Sequence, residues 1–218
     1  MNSRLIYVMG PSGAGKDSVL VWLRKHLPKD MPVHWARRTI TRPAAAGGEV
    51  HEETDEQGFE TLRSQDAFAL SWHANGLHYG IRRTELAGLQ QGLWVLVNGS
   101  RGHLAQALQS HPGLQVVHIT ADPATLLQRL IQRQRETPEQ IQQRIVRASA
   151  FLVPQGVIEI SNNGTLDQAG QALLLALQKM QHTSFNNGFS RVEVSGWGYV
   201  RRSYSNGAVF AAHARLSR

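Results

Sequence analysis

The chain has 218 residues, enough for one sizeable core or a core with a small appended subdomain. Its composition, 41% hydrophobic and 18% charged, contains no cysteine; this excludes a disordered chain, a disulfide scaffold, a thiolate metal site and cysteine catalysis. The formal net charge of +7 is uneven: from residue 183 onward five arginines face one acid, Glu193, so the tail holds +4 and the rest +3.

That balance offers no sustained basic run and argues against a nucleic-acid partner. The apolar runs at 5–9 and 172–177 are five and six residues long, too short for a signal-peptide core or a membrane span. The expectation is therefore a cytoplasmic chain without a membrane partner. Among the basic residues, 19 are Arg and four are Lys. Arginine's planar fork suits phosphate oxygens, although a compositional bias toward Arg explains most of them equally well.

Apolar runs and amphipathic stretches alternate along the chain. Residues 5–9 read as a buried strand and 18–27 as a helix; 92–97 and 114–120 read as further strands, with a helix over 103–109 between them. Asp122-Pro123 opens a helix, because Asp can cap it and Pro fits its first turn. Thr137-Pro-Glu-Gln140 has the capping-box pattern and starts another helix toward Leu152. A fourth strand is expected over 155–160, and Thr165-x-x-Gln168 begins a closing helix through Met180. This alternation predicts an α/β fold, a mainly parallel sheet flanked by helices. Residues 39–90 are polar, lack a buried strand run and read as an inserted subdomain. Residues 183–218, punctuated by Asn-Gly and Gly-Trp-Gly, read as an extension of unknown role.

The chemistry is concentrated in Gly10-Pro11-Ser12-Gly13-Ala14-Gly15-Lys16-Asp17-Ser18, between a strand and a helix. The GxxxxGK spacing needs glycines because backbone N–H groups must wrap anionic oxygens closely. The following helix adds the positive end of its dipole, and Lys16 can reach the β- and γ-phosphates of a nucleotide. The usual Ser or Thr after the lysine is replaced by Asp17, with Ser18 next; either could approach Mg²⁺. ATP and Mg²⁺ are the expected cofactors.

With this loop, Thr39-Ile-Thr-Arg42-Pro43, Gly48-Glu49 and Gly76-Leu-His-Tyr79-Gly80 resemble the guanylate kinase family in order and spacing. Arg129-Leu-x-x-Arg133 and Ile141-x-x-Arg144 are similar to that family's lid, and Val157-Ile-Glu-Ile-Ser-Asn162 to its adenine-side strand and loop. The resemblance covers roughly 4–180. It implies a P-loop kinase domain over 1–182, with an acceptor-binding insertion at 39–90 and a helical lid at 123–150. Arg42 and Tyr79 would grip the acceptor's phosphate, and Asn162 would serve the nucleotide. Lys16, Arg129, Arg133 and Arg144 would clamp the ATP phosphates and the transferring group.

The departures carry as much information. Where guanylate kinases read guanine with a glutamate, this chain has Leu70. Where they place a second acid, it has Val97-Asn98-Gly99-Ser100-Arg101-Gly102, and Ala44-Ala-Ala46 replaces a second phosphate-binding arginine. Without a carboxylate the donors of guanine would be stranded. The blocks Leu70-Ser-Trp-His-Ala-Asn-Gly76 and Val95-Leu-Val-Asn-Gly-Ser-Arg101 resemble a phosphonate-pathway branch of these kinases. Its members pass the ATP γ-phosphoryl to the 1-phosphate of ribose 1,5-bisphosphate, giving 5-phosphoribosyl 1-diphosphate. On this reading Asn98, Ser100 and Arg101 bind a sugar phosphate. The residue types alone also allow a nucleoside monophosphate kinase with altered base choice, or an inactive interaction module. Trp72 and Trp94 read as core aromatics, and Arg135 and Arg147 as an exposed helix face. His73 reads as a loop residue or a sugar contact and His78 as a loop residue, neither with an acidic partner at metal-ligand spacing, and Arg101 as a helix cap or a substrate contact.

Overall fold

The computed structural model describes residues 4–46, 49–134 and 136–188, together with the strands Val194–Ser195, Tyr199–Val200, Arg202–Ser203 and Val209–Phe210. Gly48 and Arg135 lie outside the described residues, as does most of 189–218. The chain divides into 2–174 and 175–218, the boundary falling inside one helix.

The first body is built on a five-stranded parallel sheet. Its strands are β1 (Leu5–Met9), β2 (Val33–Ala36), β7 (Trp94–Asn98), β8 (Gln115–Thr120) and β9 (Ile158–Ser161), in the order β2-β7-β1-β8-β9. Central β1 and β7 are buried along their whole length, which their apolar runs foretell. The half-buried edge strand β2, Val-His-Trp-Ala, carries no such run and escapes sequence reading.

Helix α1 (Lys16–His26) begins two residues earlier than the sequence predicts. Gly15, in the left-handed region at φ 77°, turns the chain so that Lys16 and Asp17 form the first helical turn. Helix α3 (Leu104–Ser110) follows β7 after a short 3₁₀ turn. Helix α4 (Pro123–Arg133) is capped by Asp122, which accepts from the Thr125 amide at 2.7 Å. Helix α5 (Pro138–Ser149) has a full capping box: the Gln140 amide donates to Thr137 at 3.3 Å and the Thr137 amide to Gln140 at 3.0 Å. The same exchange between Thr165 and Gln168 starts α6, which runs Leu166–Gly188. It passes the expected end at Met180 because no proline intervenes and Asn costs a helix only a few tenths of a kcal/mol.

The expectation of a strand-poor insertion is corrected. Residues 38–82 hold a four-stranded sheet of β3 (Arg38–Ile40), β4 (Glu52–Glu53), β5 (Phe68–Ala74) and β6 (Leu77–Arg82), in the order β4-β3-β6-β5, with helix α2 (Glu56–Ser64) beside them in sequence. In β5 the burial alternates, Phe68, Leu70 and Trp72 inward, so no continuous apolar run exists to be seen. The β5–β6 hairpin turns on Asn75-Gly76, both at positive φ, the pair that suits a tight hairpin turn. Leu70, Trp72 and Ile81 join Tyr7, Val97 and Leu104 in one buried cluster, so the insertion is cored against the parallel sheet.

Candidate active site

The phosphate loop leaves β1 at Gly10 and enters α1 at Lys16. Gly13 and Gly15 both have positive φ, 92° and 77°, and the Ala14 amide closes a turn on the Pro11 carbonyl at 3.2 Å. A Cβ on Gly15 would stand 2.5 Å from Asn162 Nδ2. That amide nitrogen donates to the Ala14 carbonyl at 2.7 Å, which Arg129 Nη1 also reaches at 3.5 Å. Asn162 is buried, so it braces the loop from behind; with Arg129 it lines a smaller hollow of about 310 Å³ beside Gly15 and Ser18.

The loop opens on a cavity of about 680 Å³. Six basic side chains line it, Lys16, Arg38, Arg101, Arg133, Arg144 and Arg147, against one carboxylate, Asp17, among the described residues. So cationic a wall is suited to several phosphate groups at once. Of the residues expected from sequence, the loop glycines, Pro11, Ser12, Lys16, Asp17, Ser18, Tyr79, Ser100, Arg101, Arg133 and Arg144 line this cavity. Ala14, buried in the turn, does not.

Lys16 sits on a polar ring. Its ammonium donates to Asn98 Oδ1 and to Asp17 Oδ1, the latter at 3.2 Å. The Asn98 amide in turn donates to Asp17, at 3.2 Å, and to Glu49. Glu49 accepts on its other oxygen from Arg38 Nε. Burial pushes the Lys16 ammonium below its ordinary pKa, against the upward pull of Asp17 and Glu49, while Arg38 pushes it further down. Burial pushes the Asp17 carboxyl up, but Lys16, Arg38 and Asn98 together outweigh it and the group ends below the usual carboxylate value.

Arg38 and Glu49 were not among the residues singled out for a role. Arg38 is mostly buried, held by Glu49, and lies 5.1 Å over the Tyr79 ring; Tyr79 stacks on Trp72 at 5.5 Å and 5°. Trp72 is a core residue, as expected, and also part of the cavity wall. Arg42 does not reach the wall of either cavity; its carbonyl is hydrogen-bonded to His51 Nε2 at 3.0 Å. Leu70 is in the core. Burial does not alternate along Arg38-Thr39-Ile40, where Thr39 and Ile40 are both buried, so no polar-apolar pattern marked the strand that presents Arg38.

Two arginines tie the lid region to the rest of the site. Arg144 donates to Ser12 Oγ at 2.6 Å and pairs with Glu136 at 3.2 Å. Arg101, on the turn after β7, donates to the Ala148 carbonyl near the end of α5 at 3.4 Å and lies 5.0 Å over Phe151. Helix bonding and cavity lining, posed as alternatives for Arg101, are therefore both present.

No family model matches the chain. It is 44% identical over 177 residues to a protein of Burkholderia pseudomallei named ribose 1,5-bisphosphate phosphokinase PhnN, covering 80% of this chain and 95% of that one. Proteins of the same name from Chromobacterium violaceum and Pseudomonas paraeruginosa are each 46% identical, over 170 and 176 residues. They cover 78% and 80% of this chain and 91% and 95% of their own. Among solved structures, the guanylate kinase of Anaplasma phagocytophilum superposes with a TM-score of 0.58 at 16% identity, covering 82% of this chain and 86% of that one. That likeness bears on the fold, a P-loop kinase α/β architecture.

Proposed function

The chain belongs to the ribose 1,5-bisphosphate phosphokinase family, and from that membership we propose how its site performs the reaction. The enzyme is a phosphotransferase that moves the γ-phosphoryl of ATP onto the 1-phosphate of ribose 1,5-bisphosphate, giving 5-phosphoribosyl 1-diphosphate and ADP. One observation carries the choice of acceptor: among the described residues the cavity wall holds a single carboxylate, Asp17, which belongs to the phosphate loop and is bonded to Lys16 through Oδ1. No acid is left to accept from the donors of a guanine ring.

An oxygen of the 1-phosphate attacks the γ-phosphorus, and the bond from that phosphorus to the β–γ bridging oxygen breaks, leaving its electron pair on ADP. The attacking oxygen is already an anion, so the site needs no general base. What this chain supplies is placement and charge. Backbone N–H groups of the phosphate loop bind the donor phosphates, and Lys16 neutralises charge at the transferring group. Arg133 and Arg144 close over that group from the helical side; the bond from Arg144 to Ser12 supports this reach. Arg129 and Asn162 serve the nucleotide from the smaller hollow. Tyr79, Ser100 and Arg101 address the sugar phosphate from the cavity wall, with Arg42 assigned there by resemblance; Asn98, expected there from sequence, is buried off that wall with both ends of its amide bonded and positions Lys16 instead.

Mg²⁺ fits the residues present. Asp17 and Ser18 offer hard oxygens at the cavity wall, and no group of three or more acidic or histidine ligands occurs among the described residues. Such a sparse protein donor set is the habit of a Mg²⁺ that keeps waters and substrate phosphates. Asp17 and Ser18 would hold it, and when bound it screens the charge of the β- and γ-oxygens.

The test is phosphorus NMR of the enzyme with ATP and, separately, ribose 1,5-bisphosphate, GMP or AMP. Coupled diphosphate signals on the ribose product are expected with the bisphosphate alone. GDP formation at a comparable rate would overturn the assignment.

A further inference from the structure

Two of the five arginines on the cavity wall have an acid of their own, Arg38 with Glu49 and Arg144 with Glu136. Arg101, Arg133 and Arg147 do not, and of these Arg101 and Arg147 come together from separate elements. Both line the cavity, and no carboxylate lies within ion-pair distance of either among the described residues. Arg147 Nε donates only to the carbonyl of its own helical turn, Gln143, at 3.3 Å. Arg101 is fixed by the Ala148 carbonyl and the Phe151 ring. That bond to Ala148 sets Arg101 beside Arg147, the preceding residue of α5, and burial and the nearby charge of Arg147 hold the Arg101 pKa below the ordinary value. Two like charges kept together on a cavity wall, from separate elements and with no protein anion between them, form a site for an external anion.

Position along α5 indicates which anion. Arg144 reaches the phosphate loop through Ser12. Arg147 follows three residues later on the same helical face, roughly 4.5 Å further along the axis. The acceptor carries two phosphates held apart by a furanose ring, and only one of them reacts. We propose that Arg101 and Arg147 together bind the second, unreacting phosphate of the acceptor and so select a bisphosphate over a monophosphate. This rests on the ribose 1,5-bisphosphate reading and adds Arg147 to the site as a specificity residue.

The experiment uses two competitive inhibitors against the acceptor: ribose 5-phosphate, which carries only the second phosphate, and ribose 1-phosphate, which carries only the first. In Arg147→Ala the inhibition constant for ribose 5-phosphate should rise on the order of tenfold to a hundredfold, with that for ribose 1-phosphate and the KM for ATP nearly unmoved. Arg147→Lys keeps the charge without the fork and should fall between wild type and Ala. The subsite is overturned if ribose 5-phosphate does not inhibit the wild type, if both inhibition constants rise alike, or if the KM for ATP rises instead. Failure of the wild type to turn over ribose 1,5-bisphosphate would be a different result, sinking the underlying reading before any variant is made.

Discussion

The Tyr7 hydroxyl holds both backbone polar atoms of Ser100, accepting from its amide at 2.8 Å and donating to its carbonyl at 2.9 Å. Tyr7 is wholly buried in β1, and burial raises its pKa to about 12, so the hydroxyl stays protonated at working pH. Its ring fills the space that a side chain on Gly99 would need. One core residue thereby sets the path of the chain from Asn98 to Arg101, the stretch whose Gly99, Ser100 and Arg101 line the cavity.

Tyr7→Phe keeps the ring and leaves the Ser100 amide and carbonyl unmet. The cost should be about 1–3 kcal/mol of stability, as for stranded polar groups, measured by urea unfolding. Steady-state kinetics should show a several-fold rise in KM for the acceptor and little change for ATP. An equal rise in both would mean that Tyr7 serves the phosphate loop rather than the Ser100 segment.

Lys16→Ala should lose most turnover with the fold retained; a variant keeping more than about a tenth of the wild-type rate would contradict a rate-critical lysine, since that is under roughly 1.4 kcal/mol. The ammonium has a folded-state pKa below its unfolded value. Its contribution to stability therefore rises with pH between those two values, where the unfolded chain binds more protons. Activity moves the opposite way: kcat/KM for ATP, which reports the free enzyme, should fall on the alkaline side as Lys16 loses its proton, earlier than an ordinary lysine would. Glu49 pulls that pKa up, so Glu49→Gln should shift the alkaline limb to lower pH. An unmoved limb would show that another group sets it.

Gly15→Ala meets two obstacles, a φ of 77° and the Asn162 amide 2.5 Å from the added carbon. Nucleotide binding by calorimetry should fall about fivefold to thirtyfold, from roughly 1–2 kcal/mol of backbone strain in the loop. Adding Asn162→Ala removes the clash but not the strain, so it should not restore binding. Recovery in the double variant would assign the defect to sterics alone.

Arg38 lines the cavity and Arg42 does not. Arg38→Ala should accordingly raise the acceptor KM more than Arg42→Ala. The shortfall should be about tenfold or greater if a charge-assisted bond to phosphate is lost. The reverse order would favour the role that family resemblance assigns to Arg42.

The amino-acid sequence by itself determined the features whose causes lie within a few residues. The phosphate loop is one, because positive φ at Gly13 and Gly15 and a flanking strand and helix are local requirements. The starts of α4, α5 and α6 are others, because a cap at Asp122, Thr137 or Thr165 meets its partner three residues on. Buried β1, β7 and β8 were legible as apolar runs for the same reason. Set against the resemblance to guanylate kinases, the missing acid at Leu70 and through Asn98–Arg101 was legible too, and it pointed to an acceptor without a guanine base. Only the tertiary structure decided which charges converge. Arg38, Glu49, Asn98 and Lys16 form one chain of bonds across separations of 11 to 82 residues, and no local pattern encodes such a meeting. Arg147 reads as a solvated helix residue and is exposed, but only the fold sets Arg101, from the turn after β7, against the neighbouring Ala148. A side chain's chemistry is carried by its own atoms, but its role depends on the residues that the sheet order places opposite it.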